Sequence, residues 1–153
     1  MFKIIPLLKK SGVPFKVKLA GSICKHIPDG EDYEKLGYVD DVDEAYKDAR
    51  LVINPVLVGT GLNIKTIEAV SKAKPLVSHE VGVRGLKPKK PFALVSDDDQ
   101  EFANHIIELL QNDEKCMELS KNAVSFMNEY IEKNNAALEE ISKDLIHIEY
   151  NER

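Results

Sequence analysis

Three small residues, Gly59-Thr60-Gly61, are followed by a lysine at 65 and a glutamate at 68. Small residues let backbone N–H groups approach an anion, and a helix N-terminus adds about half a positive charge. A phosphate or diphosphate suits such a place, although many strand-to-helix loops use glycine only to turn. Glu68 falls near the middle of the helix expected after the turn. A carboxylate there can accept a pair of neighbouring hydroxyls, as from a ribose or another sugar. It can equally form surface ion pairs with Lys65 or Lys72, each worth roughly 0.2–0.5 kcal/mol. Lys65 has the same two readings, neutralising a phosphate or pairing with Glu68.

A second glycine pair, Gly82 and Gly85, brackets Val83-Arg84 just after His79-Glu80. Its amides could add donors, and Arg84 could hold a carboxylate or phosphate bidentately. A solvated arginine is the plainer reading. His26, His79, His105 and His147 share no metal-ligand spacing, and no Ser-His-Asp order or nucleophile elbow stands out. Cys24 and Cys116 form no CxxC pair and read as free thiols of a reducing compartment. Ser96-Asp97-Asp98-Asp99 could hold a cation, but such runs more commonly cap helices. No metal and no cofactor is expected.

These residues need elements to hold them. Leu51–Pro55 and Pro75–Glu80 are short apolar runs without alternation, as in a parallel sheet covered on both faces. A helix over about Leu62–Ala73 joins them into a βαβ unit. Ligands bind at the carboxyl ends of such strands, where both glycine loops lie. Upstream, residues 2–11 form a helix end and Phe15–Ile23 a strand. Leu36–Val39 is a second strand, followed by a helix over Val42–Ala49 capped by Asp40 or Asp41. Downstream come a strand at Phe92–Val95 and a helix at Asp99–Gln111. Two closing helices cover Asp113–Ile131 and Asn135–Ile148, with apolar stripes Cys116, Leu119, Ala123, Met127, Tyr130 and Leu138, Ile141, Leu145, Ile148. The stripes are expected to pack on the sheet. The alternation predicts an α/β, Rossmann-like, doubly wound parallel sheet in three layers, α/β/α, as one domain over residues 1–153.

At 153 residues the chain can bury a sizeable core. Its 26 acidic and 21 basic residues, with no basic stripe, argue against nucleic-acid binding. Lys87-Pro88-Lys89-Lys90 is the one dense basic cluster, and reads as a solvated loop before an anion or lipid contact. No apolar run approaches the ~20 residues of a membrane span. The N-terminal MFKIIPLLKK lacks the apolar core and cleavage site of a signal peptide, so a cytoplasmic protein is expected.

In order, Gly37–Val39, Leu51–Pro55, Gly59–Gly61, Lys65–Ala69, Lys74–Val77 and Gly82–Leu86 resemble the donor-binding, C-terminal half of GT-B-fold glycosyltransferases of the retaining group 1 class. That family has a GYV segment, a strand ending in proline, a G-x-G loop, a K-x-x-E-A helix, a PVV strand and a G-x-x-G-L loop. The resemblance implies a nucleotide-diphospho-sugar donor and no metal. It implies a donor site of Gly59, Thr60, Gly61, Leu62, Lys65, Glu68, Gly82, Val83 and Arg84. Glu68 would accept the ribose hydroxyls, and no catalytic residue is assigned.

Three departures stand beside it. The family's Glu-x7-Glu pattern puts its first glutamate at Thr60. Lys74 stands where glycine is usual. The family's first strand, with its phosphate-binding arginine and lysine, and its acceptor-binding N-terminal domain are both absent. The expectation is therefore a fragment that binds donor weakly and transfers nothing alone. Its partners would be the donor and the N-terminal domain of the same enzyme. Peripheral membrane association of the full enzyme and a homodimer of the fragment are further partner expectations. The rival reading is a non-catalytic interaction module docking through its C-terminal helices. An NAD enzyme is disfavoured, since Ile64 takes the third glycine position of G-x-G-x-x-G.

Overall fold

In the computed structural model, residues 3–151 are described, with side chains for 3–140. The elements in order are α1 (Ile4–Ser11), β1 (Val17–Ala20), a 3-10 turn (Ser22–Lys25), β2 (Tyr33–Gly37) and α2 (Val42–Lys47). Then follow β3 (Val52–Asn54), α3 (Ile64–Ser71), β4 (Leu76–Ser78), α4 (Glu80–Val83), β5 (Ala93–Val95), α5 (Asp99–Gln111) and α6 (Asp113–Asn151). Every strand pairing is parallel. Helices flank the strands on both faces, giving the Rossmann-like α/β arrangement. The strands form two ladders, β1-β2 and β3-β4-β5.

The period of two along the strands sorts their side chains. Val52, Leu76 and Ala93 lie in one register row, and Ile53, Val77 and Leu94 in the next. The first row joins a core with Ala69 and Val70 of α3, Phe92, and Ala123 of α6. The second joins Ile4 and Leu8 of α1, Phe102, Ile106 and Leu109 of α5, and Leu119 of α6. A strand with helices over both faces must be apolar at every position. That is why β4 is buried throughout.

Several boundaries differ from the sequence reading. The first strand ends at Ala20, because Gly21 takes φ +92° and the chain coils into the 3-10 turn. The second begins earlier, at Tyr33, and ends at Gly37 with φ +69°. Its charged Glu34 and Lys35 suit a half-exposed strand. Lys35 donates to Ile27 O at 3.0 Å and pairs with Asp29 at 2.5 Å. The loop expected at Val81–Leu86 opens with the single helical turn of α4.

The largest difference lies at the end. The two closing helices are one 39-residue helix, α6. Residues 132–135, Glu-Lys-Asn-Asn, contain no glycine or proline, and asparagine lowers helix propensity by less than about 1 kcal/mol. The expected first stripe packs inward, with Leu119 and Ala123 fully buried. Leu138 is instead 64% exposed, so the second stripe does not pack on the sheet there. Ile141, Leu145, Ile148 and His147 lie outside the described side chains.

Candidate functional site

Three buried polar side chains set the geometry at the carboxyl ends of β3 and β4. Asn54 Nδ2 donates to Thr66 Oγ1 at 2.9 Å, and the Thr66 hydroxyl donates to Gly82 O at 2.6 Å. The Ser78 hydroxyl donates to His79 O at 2.8 Å. Unpaired polar groups at this depth would be costly, so these bonds fix one arrangement. They tie the end of β3 to the first turn of α3 and to α4.

Both glycine loops are thereby held side by side. A Cβ on Gly59 would touch Val81 Cγ1 at 3.6 Å. Residues 57–62 are exposed, and Gly61 adopts φ +76°. Among the described residues, no hydrogen bond engages the amides of Gly59, Thr60, Gly61 or Leu62. Asn63 caps α3, its side chain accepting from Lys65 N at 3.1 Å and Thr66 N at 3.4 Å. The cap takes two amides of the helix end, so the anion-accessible donors belong to the loop before it. An N-cap asparagine opening a helix is a readable sequence signal that the glycines overshadowed.

Glu68 is half-buried, its side chain 34% exposed. Its Oε2 receives Lys65 Nζ at 3.0 Å and the Tyr46 hydroxyl, from α2, at 3.5 Å. Oε1 has no partner among the described residues. Tyr46 is partly buried against the core beneath α3. Burial, then the Glu68 charge, push its phenol up to about 12. Lys72 does not pair with Glu68; it bonds Asp43 of α2 at 2.5 Å. Lys74 also reaches α2, donating to Lys47 O at 3.2 Å and Ala49 O at 2.9 Å.

Across the second loop the site residues divide. The Gly82 amide donates to His79 O at 2.9 Å, so this glycine offers close packing rather than a free N–H. Val83 packs its side chain onto the core. Arg84 is exposed and makes no ion pair among the described residues. His79 is buried, with Nδ1 2.8 Å from Ser96 O and its ring 4.6 Å from that of Phe102. A carbonyl only accepts, so Nδ1 carries the proton. His79 thus clamps the end of β4 to that of β5.

The acidic run behaves as caps. Asp98 accepts from Glu101 N at 2.8 Å, and Asp97 from Glu80 N at 2.9 Å. No cluster of metal-ligating side chains occurs among the described residues. Both cysteines are free, as read from the sequence. Two surface hollows, of about 500 and 130 Å3, lie elsewhere. The larger lies between Lys9, Phe15, Lys16, Asp32 and Tyr33, the smaller between Lys89, Lys90 and Asn122, Phe126 and Glu129 of α6. No helix among the described residues is long and apolar enough to cross a membrane.

Known proteins share this fold. TarM superposes with a TM-score of 0.71 at 19% identity, over 83% of this chain and 28% of TarM. Anabaena HepE, crystallised with UDP and glucose, gives 0.73 at 17% identity over 93% of this chain and 44% of HepE. The pneumococcal O-GlcNAc transferase GtfA, crystallised with UDP and GlcNAc, gives 0.59 at 18% identity, over 91% of this chain and 32% of GtfA. At these identities the likeness is one of fold. An uncharacterised 44.6 kDa protein of the Klebsiella pneumoniae cps region is 28% identical over 142 residues. That match spans 83% of this chain and 36% of the relative, so the chain spans about a third of that protein's length. Residues 1–112, well over half of the chain, match the family described as Glycosyl transferases group 1. By that match, carried on a βαβ unit with two facing glycine loops, the chain belongs to the group 1 glycosyl transferases.

Proposed function

We propose that this chain is the donor-nucleotide half of a sugar transferase that uses a nucleotide-diphospho-sugar. The observation that carries the reading is the pairing of two glycine loops at the carboxyl ends of β3 and β4, with unengaged amides at Gly59–Leu62. Those amides, Lys65 and Arg84 would face the diphosphate. Glu68 would turn its unpaired Oε1 to the ribose hydroxyls. Charge grows on the diphosphate as the sugar leaves, and donors fixed beforehand stabilise it most effectively. Lys65 would exchange its bond to Glu68 for one to phosphate. No general base is assigned, and no metal takes part.

The relative's greater length supports a companion domain that carries the acceptor half of the site. This chain alone then binds donor weakly and transfers nothing. Thermal melting with UDP or GDP at millimolar concentration tests the reading. A ligand at ten times its Kd stabilises by about 1.4 kcal/mol. The expected result is a raised Tm that Glu68→Ala diminishes, leaving the weaker protection that the phosphate contacts alone supply. Identical melting curves with and without either nucleotide would overturn it.

One observation favours a second reading, an interaction module. Met117, Val124, Ile131 and Leu138 recur every seven residues along α6, each at least 47% exposed. A stripe of that period suits a partner helix. Concentration-dependent dimerisation without nucleotide binding would support this reading over the first.

A further inference from the structure

The Glu68 carboxylate is held asymmetrically. Both of its protein donors, Lys65 Nζ and the Tyr46 hydroxyl, converge on Oε2. Lys65 is a surface residue on α3 itself, three residues from Glu68. Tyr46 comes from a different element, α2, and its partly buried ring packs against the core. If a phosphate draws Lys65 away, Tyr46 is the one donor left on the carboxylate among the described residues.

The chain fixes α2 with more than this one contact. Asp41 caps its first turn, accepting from Asp43 N at 2.9 Å. Lys72 pairs with Asp43 near that end. Lys74 gathers the carbonyls of Lys47 and Ala49 at the other. A six-residue helix has little stability of its own, so these tethers to the α3–β4 segment decide where Tyr46 sits. Lys74, the residue found in place of a family glycine, is one of them.

We propose that Tyr46 is a positioning residue that holds Glu68 Oε2 so that Oε1 faces the ribose 2′- and 3′-hydroxyls of the donor. This rests on the donor-site reading above. Glu68 keeps its aim when Lys65 turns to the diphosphate. The phenol stays protonated as a donor at any physiological pH, since its titration lies near 12. Loss of the hydroxyl therefore weakens recognition of ribose rather than of phosphate.

The test measures affinities of UDP and GDP, and of their 2′-deoxy analogues, for wild type and Tyr46→Phe. The phenylalanine keeps the ring packed against the core and removes one oxygen. The contact is long, 3.5 Å, and acts on ribose through Glu68. An effect of the size of an ordinary rather than a charge-assisted hydrogen bond is expected, a loss of about three- to tenfold for the ribonucleotide. The 2′-deoxy analogue should change less, so the ribo/deoxy ratio contracts. In a Glu68→Ala background, Tyr46→Phe should cause no further loss. Unchanged ribonucleotide affinity would overturn the proposal, as would equal losses for both nucleotides or an undiminished loss without Glu68. Those outcomes leave the donor site standing. Absence of binding to wild type would remove the donor site and this proposal with it. If Tyr46→Phe folds poorly, Lys74→Met gives the same contraction by freeing α2, and failure to do so counts against the proposal equally.

Discussion

Gly82 lies so close to Ser78 that a methyl group added to it would fall 2.2 Å from the Ser78 hydroxyl oxygen. The same methyl would be 2.8 Å from Asn54 Nδ2. Neither neighbour can move freely, since Ser78 bonds His79 O and Asn54 bonds Thr66. The absence of a side chain at 82 is what lets α4 sit against the ends of β3 and β4. The φ of Gly82 plays no part, being outside the left-handed region.

Gly82→Ala should destabilise the domain by about 1–3 kcal/mol, the usual range for overpacking. Urea denaturation measures it. Adding Ser78→Ala removes the nearest atom and should recover part of the loss. No recovery would mean that the contact with Asn54 dominates.

Lys65→Met should weaken binding of UDP or GDP and flatten its dependence on salt, since one charge no longer meets the diphosphate. Its effect on stability should be small, because an exposed i,i+3 pair contributes roughly 0.2–0.5 kcal/mol. Calorimetric titration at two ionic strengths separates these effects. A variant as salt-sensitive as wild type would contradict the role given to Lys65.

The phenol of Tyr46 makes a prediction about alkaline pH. Its folded-state value, about 12, exceeds the ordinary value of 10.0. The folded state therefore holds this proton more tightly than the unfolded one. Stability from this group is complete below pH 10 and is lost as pH rises toward 12. Phenolate absorbance of wild type minus that of Tyr46→Phe should isolate one group titrating near the upper value. A difference curve centred at 10 would show that the hydroxyl is solvated.

On α6, substitutions should divide sharply by face. Leu119 is fully buried, and Leu119→Ala should cost about 2–5 kcal/mol. Ile131 and Leu138 are exposed, and lysine at either should stay within about 0.5 kcal/mol of wild type. Denaturant midpoints give all three. A large loss from Leu138→Lys would place a covering surface over that part of the helix.

Much of this was legible in the residues. Alternation of short apolar runs with helical stripes predicts the parallel α/β class, and the expected helix Asp99–Gln111 matches α5 to its ends because Asp98 and Asn112 flank it with caps. The break expected within α6 does not occur, since a new apolar stripe at Leu138 is no boundary by itself and nothing in Glu132–Asn135 ends a helix. Gly59–Gly61 marks a turn by composition, and the structure places an exposed loop there. The contact of Tyr46 with Glu68 bridges 22 residues and two elements, so spacing alone carries no sign of it. The close approach at Gly82 is equally silent, since glycine is a common loop residue for other reasons.

The split of the strands into a pair and a triplet has a practical consequence for the purified domain. One five-stranded sheet would have two borders, whereas two ladders have four. Each border presents a row of unbonded amides and carbonyls that can recruit a stray strand. Lys18, exposed on β1, acts as a gatekeeper there, but Val52-Ile53 of β3 carries no charge. Shelf life in solution should therefore depend on protein concentration at least as much as on temperature, with turbidity growing through β-rich assemblies well below the melting point.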